Sequence, residues 1–262
     1  MESMTEVKDG SCAVVVVAAG SGQRLGHGVP KARVPLGGHA MLVHAVRGVI
    51  KAGVAAQICV AIPADDAELD AICRNVGAEA ATAGVLFTIV EGGAERSASV
   101  SAALEAIATG ITTVMIHDAA RPLTPSGVFN RVAGALRDGA SAVIPALAVT
   151  DTIKTVVPAS LPATGAGLEK VVDTPPRNQL RAVQTPQGFQ LETLRRAHEY
   201  LSTLDAAAAS RITDDAMLVE ALGEVVFVVQ GSTHSLKITT PMDLLLAEAM
   251  LAGPLRPRWI EG

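Results

Sequence analysis

The run "CAVVVVAAG", Cys12–Gly20, decides the fold. It is a short, continuous apolar stretch that ends in a glycine, which is typical of a strand buried on both faces of a parallel sheet. Four comparable runs follow it: "AQICVAIP" (56–63), "VLFTIVEGG" (85–93), "TTVMIHDAARP" (112–122) and "ASAVIPALAV" (140–149). Strands that alternate with helical segments predict an α/β fold, with a mostly parallel sheet flanked by helices.

The segments between these runs predict the helices. Helical spacing of apolar residues covers residues 40–53, 65–76, 96–110 and 126–138, and we expect Ser97 or Ser99 to cap the third helix. The last third of the chain predicts helices over 191–204 and 214–223, strands over 224–231 and 235–239, and a final helix over 241–253 with Pro241 near its start.

Residues 150–182 interrupt the alternation of strands and helices. They contain two β-like pieces joined by a linker of Pro, Gly and Ala, which predicts a β-hairpin arm extending from the main body. We expect residues 1–262 to form a single domain that carries this arm.

Composition excludes several classes of protein. The chain is 49% hydrophobic but only 2% aromatic, and its formal net charge is −5. Nucleic-acid binding is therefore not expected, because it requires basic patches and stacking rings. No apolar run approaches the ~18 residues that a membrane span requires. The amino-terminal residues do not resemble a secretory signal, so we expect a cytoplasmic protein.

The loop after the first strand predicts a phosphate-bearing ligand. Ala18–Gly38 contains a G-x-G-x-x-x-G pattern and the cations Arg24, Lys31 and Arg33, and it has no acidic residue. The dinucleotide-binding fingerprint and the Walker motif both have other spacings. Glycine backbone N–H groups and two cations can instead stabilise a phosphoryl group during its transfer. The alternative is a tight turn with solvated cations.

Three further stretches carry candidate site residues, each with a simpler alternative. Asp118 lies at the end of the fourth strand, where one carboxylate suits Mg²⁺, although it could also cap the next turn. The glycine pair before the third helix could bind a base edge or a ribose, or belong to an ordinary N-cap. Lys237, predicted to lie in a short strand, could face the site or only solvent.

Read in order, these motifs resemble one family. The segments "AAGSGQRLG", "PKARVPLGG", "GGAERSASV", "HDAARPL", "TDTIKTV", "RNQLRAVQTPQGF", "TDDAMLVE" and "LKITTPMDL" are similar to those of the 2-C-methyl-D-erythritol 4-phosphate cytidylyltransferases, over about Val14 to Leu251. The resemblance implies a Rossmann-like nucleotidyltransferase fold of the glycosyltransferase-A type. It also implies a reaction in which CTP and methylerythritol phosphate give CDP-methylerythritol and pyrophosphate, for isoprenoid precursor biosynthesis.

The resemblance also implies roles for individual residues. It assigns transition-state stabilisation to Arg24 and Lys31, the positioning of methylerythritol phosphate to Arg177 and Lys237, and a divalent cation, Mg²⁺ or another, to Asp118. The implied nucleotide cradle is Ala18, Ala19, Gly20, Ser21, Gly22, Gly93 and Ser99. The implied substrate contacts are Arg121, Thr152, Thr185 and Thr213. In such a family the hairpin crosses to a second subunit, so a C₂ homodimer is expected, with Thr152 and Arg177 acting in trans.

Two other functions remain open at this point. A cytidylyltransferase acting on ribitol 5-phosphate would keep the CTP loop and Asp118, and would differ near the residues that contact the polyol. A nucleotide-binding regulator without catalysis predicts damage to Arg24, Lys31, Asp118 or Lys237, and all four are present. Ala94 departs from the family pattern, since an acid often occupies its position, so nucleotide binding there would rest on the backbone of Gly93.

Overall fold

The computed structural model describes residues 11–20, 29–159, 167–209 and 211–253. The strands are β1 Ser11–Val17, β2 Pro35–Leu36, β3 His39–Ala40, β4 Ala55–Ile62, β5 Leu86–Glu91, β6 Ile111–Asp118, β7 Ala142–Ala148, β8 Thr155–Ala159, β9 Leu168–Asp173, β10 Arg181–Val183, β11 Gln187–Gln190 and β12 Val226–Gln230. The helices are α1 Met41–Ala52, α2 Ala67–Thr82, α3 Arg96–Glu105, α4 Ser126–Arg137, α5 Leu191–Leu201, α6 Ala206–Ala209, α7 Asp215–Ala221 and α8 Pro241–Ala252.

An eight-stranded sheet confirms the predicted α/β architecture. Strands β7, β11, β6, β1, β4 and β5 follow one another across it, and β10 and β12 also pair with β7. β1 is parallel to both β4 and β6, β4 is parallel to β5, and β12 is parallel to β7. Among the described strands of this sheet, β10 and β11 are the ones that run antiparallel to their neighbours. They follow the hairpin, where the regular alternation of strand and helix has ended.

The apolar run that opened the sequence analysis forms β1 at the centre of this sheet. Val14 and Val16 point into the core beneath α1, α2 and α4, whereas Ala13 and Val15 point into the core beneath α3, α5 and α7. All four side chains are fully buried. A strand with no polar face therefore lies between two helical layers, as its composition predicts.

A smaller third cluster packs α8 against β2 and the neighbouring loops. Leu244 and Met250 of α8 pack with Leu36, Leu123 and Ile238. Thr240 caps α8 in a reciprocal capping box with Asp243, and Pro241 occupies the first turn. None of the helices in the described ranges is long and apolar enough to cross a membrane.

Two strands, β8 and β9, lie within the residues predicted to form a hairpin arm. β8 and β9 pair with each other in an antiparallel sheet of their own, from Thr155 opposite Asp173 to Ala159 opposite Leu168. β10 pairs with β7, so Arg181 and Ala182 belong to the main sheet and not to the hairpin.

Three local predictions were wrong. Residues 235–239 are not a strand. The Ile238 N–H donates to the Ala120 carbonyl, but this segment forms no ladder of backbone hydrogen bonds with a neighbouring strand. α3 runs from Arg96 to Glu105 and Glu95 occupies its N-cap position without a side-chain capping bond, so neither Ser97 nor Ser99 caps it. α2 continues to Thr82, beyond the predicted end at Val76.

Candidate functional site

A cleft of about 790 Å³ lies at the carboxyl ends of the parallel strands. The chain runs from β1 to β4 and β5 on one side, then returns to place β6 on the other side of β1. In open α/β sheets ligands bind at such a switch point. Residues 17–20 after β1 and 118–120 at the end of β6 line the cleft, and residues 92–96 after β5 form another part of its wall.

The lining includes eight of the residues predicted from the sequence. They are Ala18, Ala19, Gly20, Lys31, Gly93, Ser99, Asp118 and Lys237. They come from five separate segments of the chain, so the fold brings together motifs that are far apart in the sequence.

The glycine pair after β5 lets the backbone approach β1 and α3 closely. A Cβ on Gly92 would lie 2.6 Å from the Cβ of Ala19, and one on Gly93 would lie 2.4 Å from the Cβ of Ala98. Ser99, 1% exposed, donates its hydroxyl to the Glu95 and Gly93 carbonyls, at 3.1 and 3.4 Å. Backbone atoms of this wall are therefore accessible from the cleft. A ligand that is recognised through backbone groups requires such access.

Asp118 is the anionic centre of the cleft. Its Oδ2 lies 2.8 Å from Nζ of Lys237 and 4.0 Å from Nε of Arg121, and its Oδ1 lies 3.4 Å from Nε of Arg96. Burial alone would raise the pKa of this carboxyl group, but Arg96, Lys237 and Arg121 outweigh burial and hold the pKa well below its ordinary value. Asp118 is therefore ionised across the physiological pH range.

Sequence reasoning missed Arg96, although it lines the cleft. It is the first residue of α3, and its guanidinium also donates to Oδ2 of Asp215 at 2.5 Å. A signal was available: a cation in the first turn of a helix opposes the helix dipole, so it indicates an acidic partner elsewhere. That partner is 119 positions away in the chain, and nothing in the local sequence identifies it.

Two cations of the segment after β1, Lys31 and Arg33, lie in different surroundings. Lys31 begins a short 3₁₀ helix, Lys31–Arg33, and lines the cleft. Arg33 instead pairs with Asp66, at 3.3 Å, and with Glu68 at the start of α2. Arg33 therefore fastens the turn that carries Lys31 to a neighbouring helix.

Two predicted substrate contacts lie behind or beside Asp118. The hydroxyl of Thr185 accepts the Asp118 N–H at 3.1 Å and bonds to Nδ1 of His117 at 3.0 Å, and Thr185 is 5% exposed. Arg121 donates to the carbonyls of Ser235 and Val183. Arg121 thus joins the segment that carries Lys237 to β10.

The remaining predicted residues lie apart from the cleft or outside the described ranges. Thr152, Arg177 and Thr213 are exposed and are not among the described residues that line the cleft. Thr152 and Arg177 flank the hairpin, where Arg177 donates to the Thr150 carbonyl at 2.9 Å. Three predicted residues, Ser21, Gly22 and Arg24, lie outside the described residues.

The oxygen donors of the cleft fit a hard divalent cation that takes some of its ligands from the protein and the others from a substrate. Within the described ranges no group of three or more His, Cys, Asp or Glu side chains could hold a metal ion. Asp118 supplies one carboxylate, and Mg²⁺ is commonly held by one or two carboxylates together with substrate phosphates and water.

Comparison with known proteins gives a consistent result. The family model for 2-C-methyl-D-erythritol 4-phosphate cytidylyltransferase matches residues 12–253. A Streptomyces avermitilis protein of that name is 46% identical over 241 residues, which cover 92% of this chain and 91% of that protein. Among solved structures, the enzyme of that name from Thermus thermophilus is 34% identical, with a TM-score of 0.67, and covers 92% of this chain and 98% of its own. The 4-diphosphocytidyl-2C-methyl-D-erythritol synthase from Anaerococcus prevotii is 26% identical, with a TM-score of 0.76 and the same coverage.

Proposed function

This chain belongs to the 2-C-methyl-D-erythritol 4-phosphate cytidylyltransferase family, and we propose that it transfers CMP from CTP to 2-C-methyl-D-erythritol 4-phosphate in isoprenoid precursor biosynthesis. A phosphate oxygen of the acceptor attacks the α-phosphorus of CTP. The bond from that phosphorus to the bridging oxygen breaks, and pyrophosphate leaves.

The main obstacle to this reaction is charge. The acceptor phosphate is already ionised near neutral pH, because its second pKa is about 6, so no general base is needed. The two substrates are both anions and repel each other, and negative charge concentrates further on the transferring group. A suitable site must therefore supply fixed cations close to the α-phosphorus.

The observation that carries the proposal is the set of charges in the cleft. Lys31 and Lys237 line it from two different segments, and Nζ of Lys237 lies 2.8 Å from Oδ2 of Asp118. In the proposed reaction Lys31, together with Arg24, stabilises the transition state, and Lys237, together with Arg177, positions the acceptor phosphate. The backbone of residues 18–20, 92 and 93 faces the space assigned to the nucleotide.

We assign Asp118 as the protein ligand for Mg²⁺ or another divalent cation. Such an ion, when bound, neutralises triphosphate charge and polarises the phosphoryl group. The contribution of the chain is to hold the carboxylate ionised, with Thr185 bonded to its backbone N–H.

We also propose that the protein acts as a cytoplasmic homodimer of single-domain subunits. Ile153, Val156, Val157, Val171 and Val172 of the hairpin region are each 39–51% exposed, which is costly unless a second surface covers them. Thr152 and Arg177 flank this hairpin and lie apart from the cleft, as expected if they complete the site of the partner subunit.

Pyrophosphate release tests the proposed function. With CTP and Mg²⁺, release should depend on 2-C-methyl-D-erythritol 4-phosphate and should be absent with ribitol 5-phosphate. Reactions that lack one substrate serve as controls. Release only with ribitol 5-phosphate would reassign the acceptor. No release with either acceptor, together with measurable CTP binding, would favour the regulatory alternative and contradict the proposal.

A further inference from the structure

Arg96 is shared unequally between two carboxylates. Its Nη1 lies 2.5 Å from Oδ2 of Asp215, whereas its Nε lies 3.4 Å from Oδ1 of Asp118. The side chain of Asp215 is 1% exposed, and its Oδ1 bonds to Nε2 of His198 at 3.1 Å. These contacts join α3, α7 and α5 to the carboxyl end of β6.

The two carboxylates differ in what else they can bind. Asp215 is enclosed, and both of its oxygens have partners from the chain. Asp118 lines the cleft, and its Oδ2 faces Lys237 at 2.8 Å and Arg121 at 4.0 Å. Among the ion pairs of the described residues, its Oδ1 takes part in the longer contact to Arg96 alone.

The unequal sharing has an electrostatic consequence. A guanidinium that is not held elsewhere would form a short, charge-assisted pair with a carboxylate at this separation. Such a pair at Oδ1 would add to the two cations at Oδ2 and would oppose the approach of any further cation. The shorter contact to Asp215 offsets part of the Arg96 charge, and the Nε of Arg96 lies 3.4 Å from Oδ1 of Asp118.

We propose that Asp215 is a positioning residue that retains Arg96 and thereby keeps Oδ1 of Asp118 available to a divalent cation. His198 supports this role by fixing the other oxygen of Asp215. The inference rests on the proposed function only in assigning the divalent cation to Asp118. It concerns a residue that is not among the described residues lining the cleft.

The test is the binding of Mn²⁺ to the full-length protein in the presence of CTP, measured by electron paramagnetic resonance with Mn²⁺ and CTP alone as the blank. Asp215→Asn should raise the apparent Kd of Mn²⁺ by at least about tenfold, because a neighbouring cation shifts the affinity of a carboxylate for a proton by about 10- to 1,000-fold. The double variant Arg96→Gln/Asp215→Asn removes both charges and should bring the Kd back toward the wild-type value.

Because Arg96 and Asp215 are in contact, their substitutions are not additive, and recovery in the double variant assigns the loss of Mn²⁺ affinity to the uncompensated Arg96 charge. Asp214→Asn is the matched control: it makes the same change one residue earlier, at the N-cap of α7, where Asn caps as well as Asp. It should leave the Kd unchanged. An unchanged Kd in folded Asp215→Asn, a double variant no better than the single one, or wild-type protein that binds no Mn²⁺ would each overturn the inference.

A second measurement needs no substitution and covers the case in which Asp215→Asn does not fold. The ¹⁵N signals of the Arg96 guanidinium should remain those of an immobilised group when Mg²⁺ and CTP are added, because Asp215 retains it. A guanidinium that becomes freely rotating would contradict the inference. Failure of the proposed function would show differently, as the loss of pyrophosphate release by wild-type protein with the Mn²⁺ results intact.

Discussion

At the scale of single residues, the candidate site is organised around one carboxylate. Three cations from α3, from the turn after β6 and from the segment before α8 lie within 4.0 Å of Asp118. Burying a charged group costs free energy unless the group is paired. Three cations around one carboxylate are therefore unusual at a site whose role is only to stabilise the fold. The arrangement instead suits a site that receives polyanionic substrates.

The role of Lys31 can be tested directly. Lys31→Ala should lower kcat by about 10²- to 10³-fold, as expected when a contact that stabilises transition-state charge is lost. The KM for 2-C-methyl-D-erythritol 4-phosphate should change much less, because that contact contributes little to ground-state binding. Initial rates of pyrophosphate release measure both constants.

Lys51→Ala provides the control for Lys31→Ala. It removes the same charge from the exposed end of α1, outside the cleft lining. Near-normal kcat in Lys31→Ala, or an equal loss in Lys51→Ala, would remove Lys31 from the proposed mechanism.

At the scale of elements, α2 shows how a tertiary contact overrides local propensity. The helix was predicted over residues 65–76, and the next residue is Gly77, a poor helix former. In the structure the helix continues to Thr82, and the ring of Phe87 on β5 occupies the space above Gly77. A Cβ at this position would lie 2.7 Å from a ring carbon.

Gly77→Ala should therefore destabilise the protein even though alanine is the better helix former. Overpacking costs typically about 1–3 kcal/mol, and the gain in helix propensity returns about 1 kcal/mol. We expect a net loss of up to about 2 kcal/mol in the free energy of unfolding, measured by urea denaturation. The double variant Gly77→Ala/Phe87→Leu should recover part of it, and a Gly77→Ala protein more stable than wild type would contradict this account.

The same reasoning separates what the sequence predicted from what it did not. Apolar runs predicted β1, β4, β5, β6 and β7, because strands of a parallel sheet that lies between helices are rich in apolar residues. The segment that carries Lys237 alternates polar and apolar residues as a strand can, but its Ile238 N–H bonds to the Ala120 carbonyl and no ladder forms. The pairing of Arg96 with Asp215 depends on the packing of α3 against the region of α5 and α7, which local sequence does not encode.

At the scale of the whole molecule, a single subunit does not explain the exposed apolar side chains of the hairpin. Val171 and Val172 on β9 are each 51% exposed, and β8 and β9 pair only with each other among the described strands. A two-stranded ribbon on its own is marginally stable in water. A second subunit in C₂ symmetry would cover both ribbons and would place each Arg177 near the cleft of its partner.

Mixing two inactive variants tests this arrangement. In a heterodimer of Lys31→Ala and Arg177→Ala, trans-acting hairpins give one site with both residues intact and one site with neither. Random exchange makes half of the dimers mixed, so pyrophosphate release should recover to about a quarter of the wild-type rate. Each variant mixed with itself is the control, and differently tagged subunits report the exchange. If the hairpin served its own subunit, every site in the mixture would lack one residue, and proven exchange without recovery would exclude the trans arrangement.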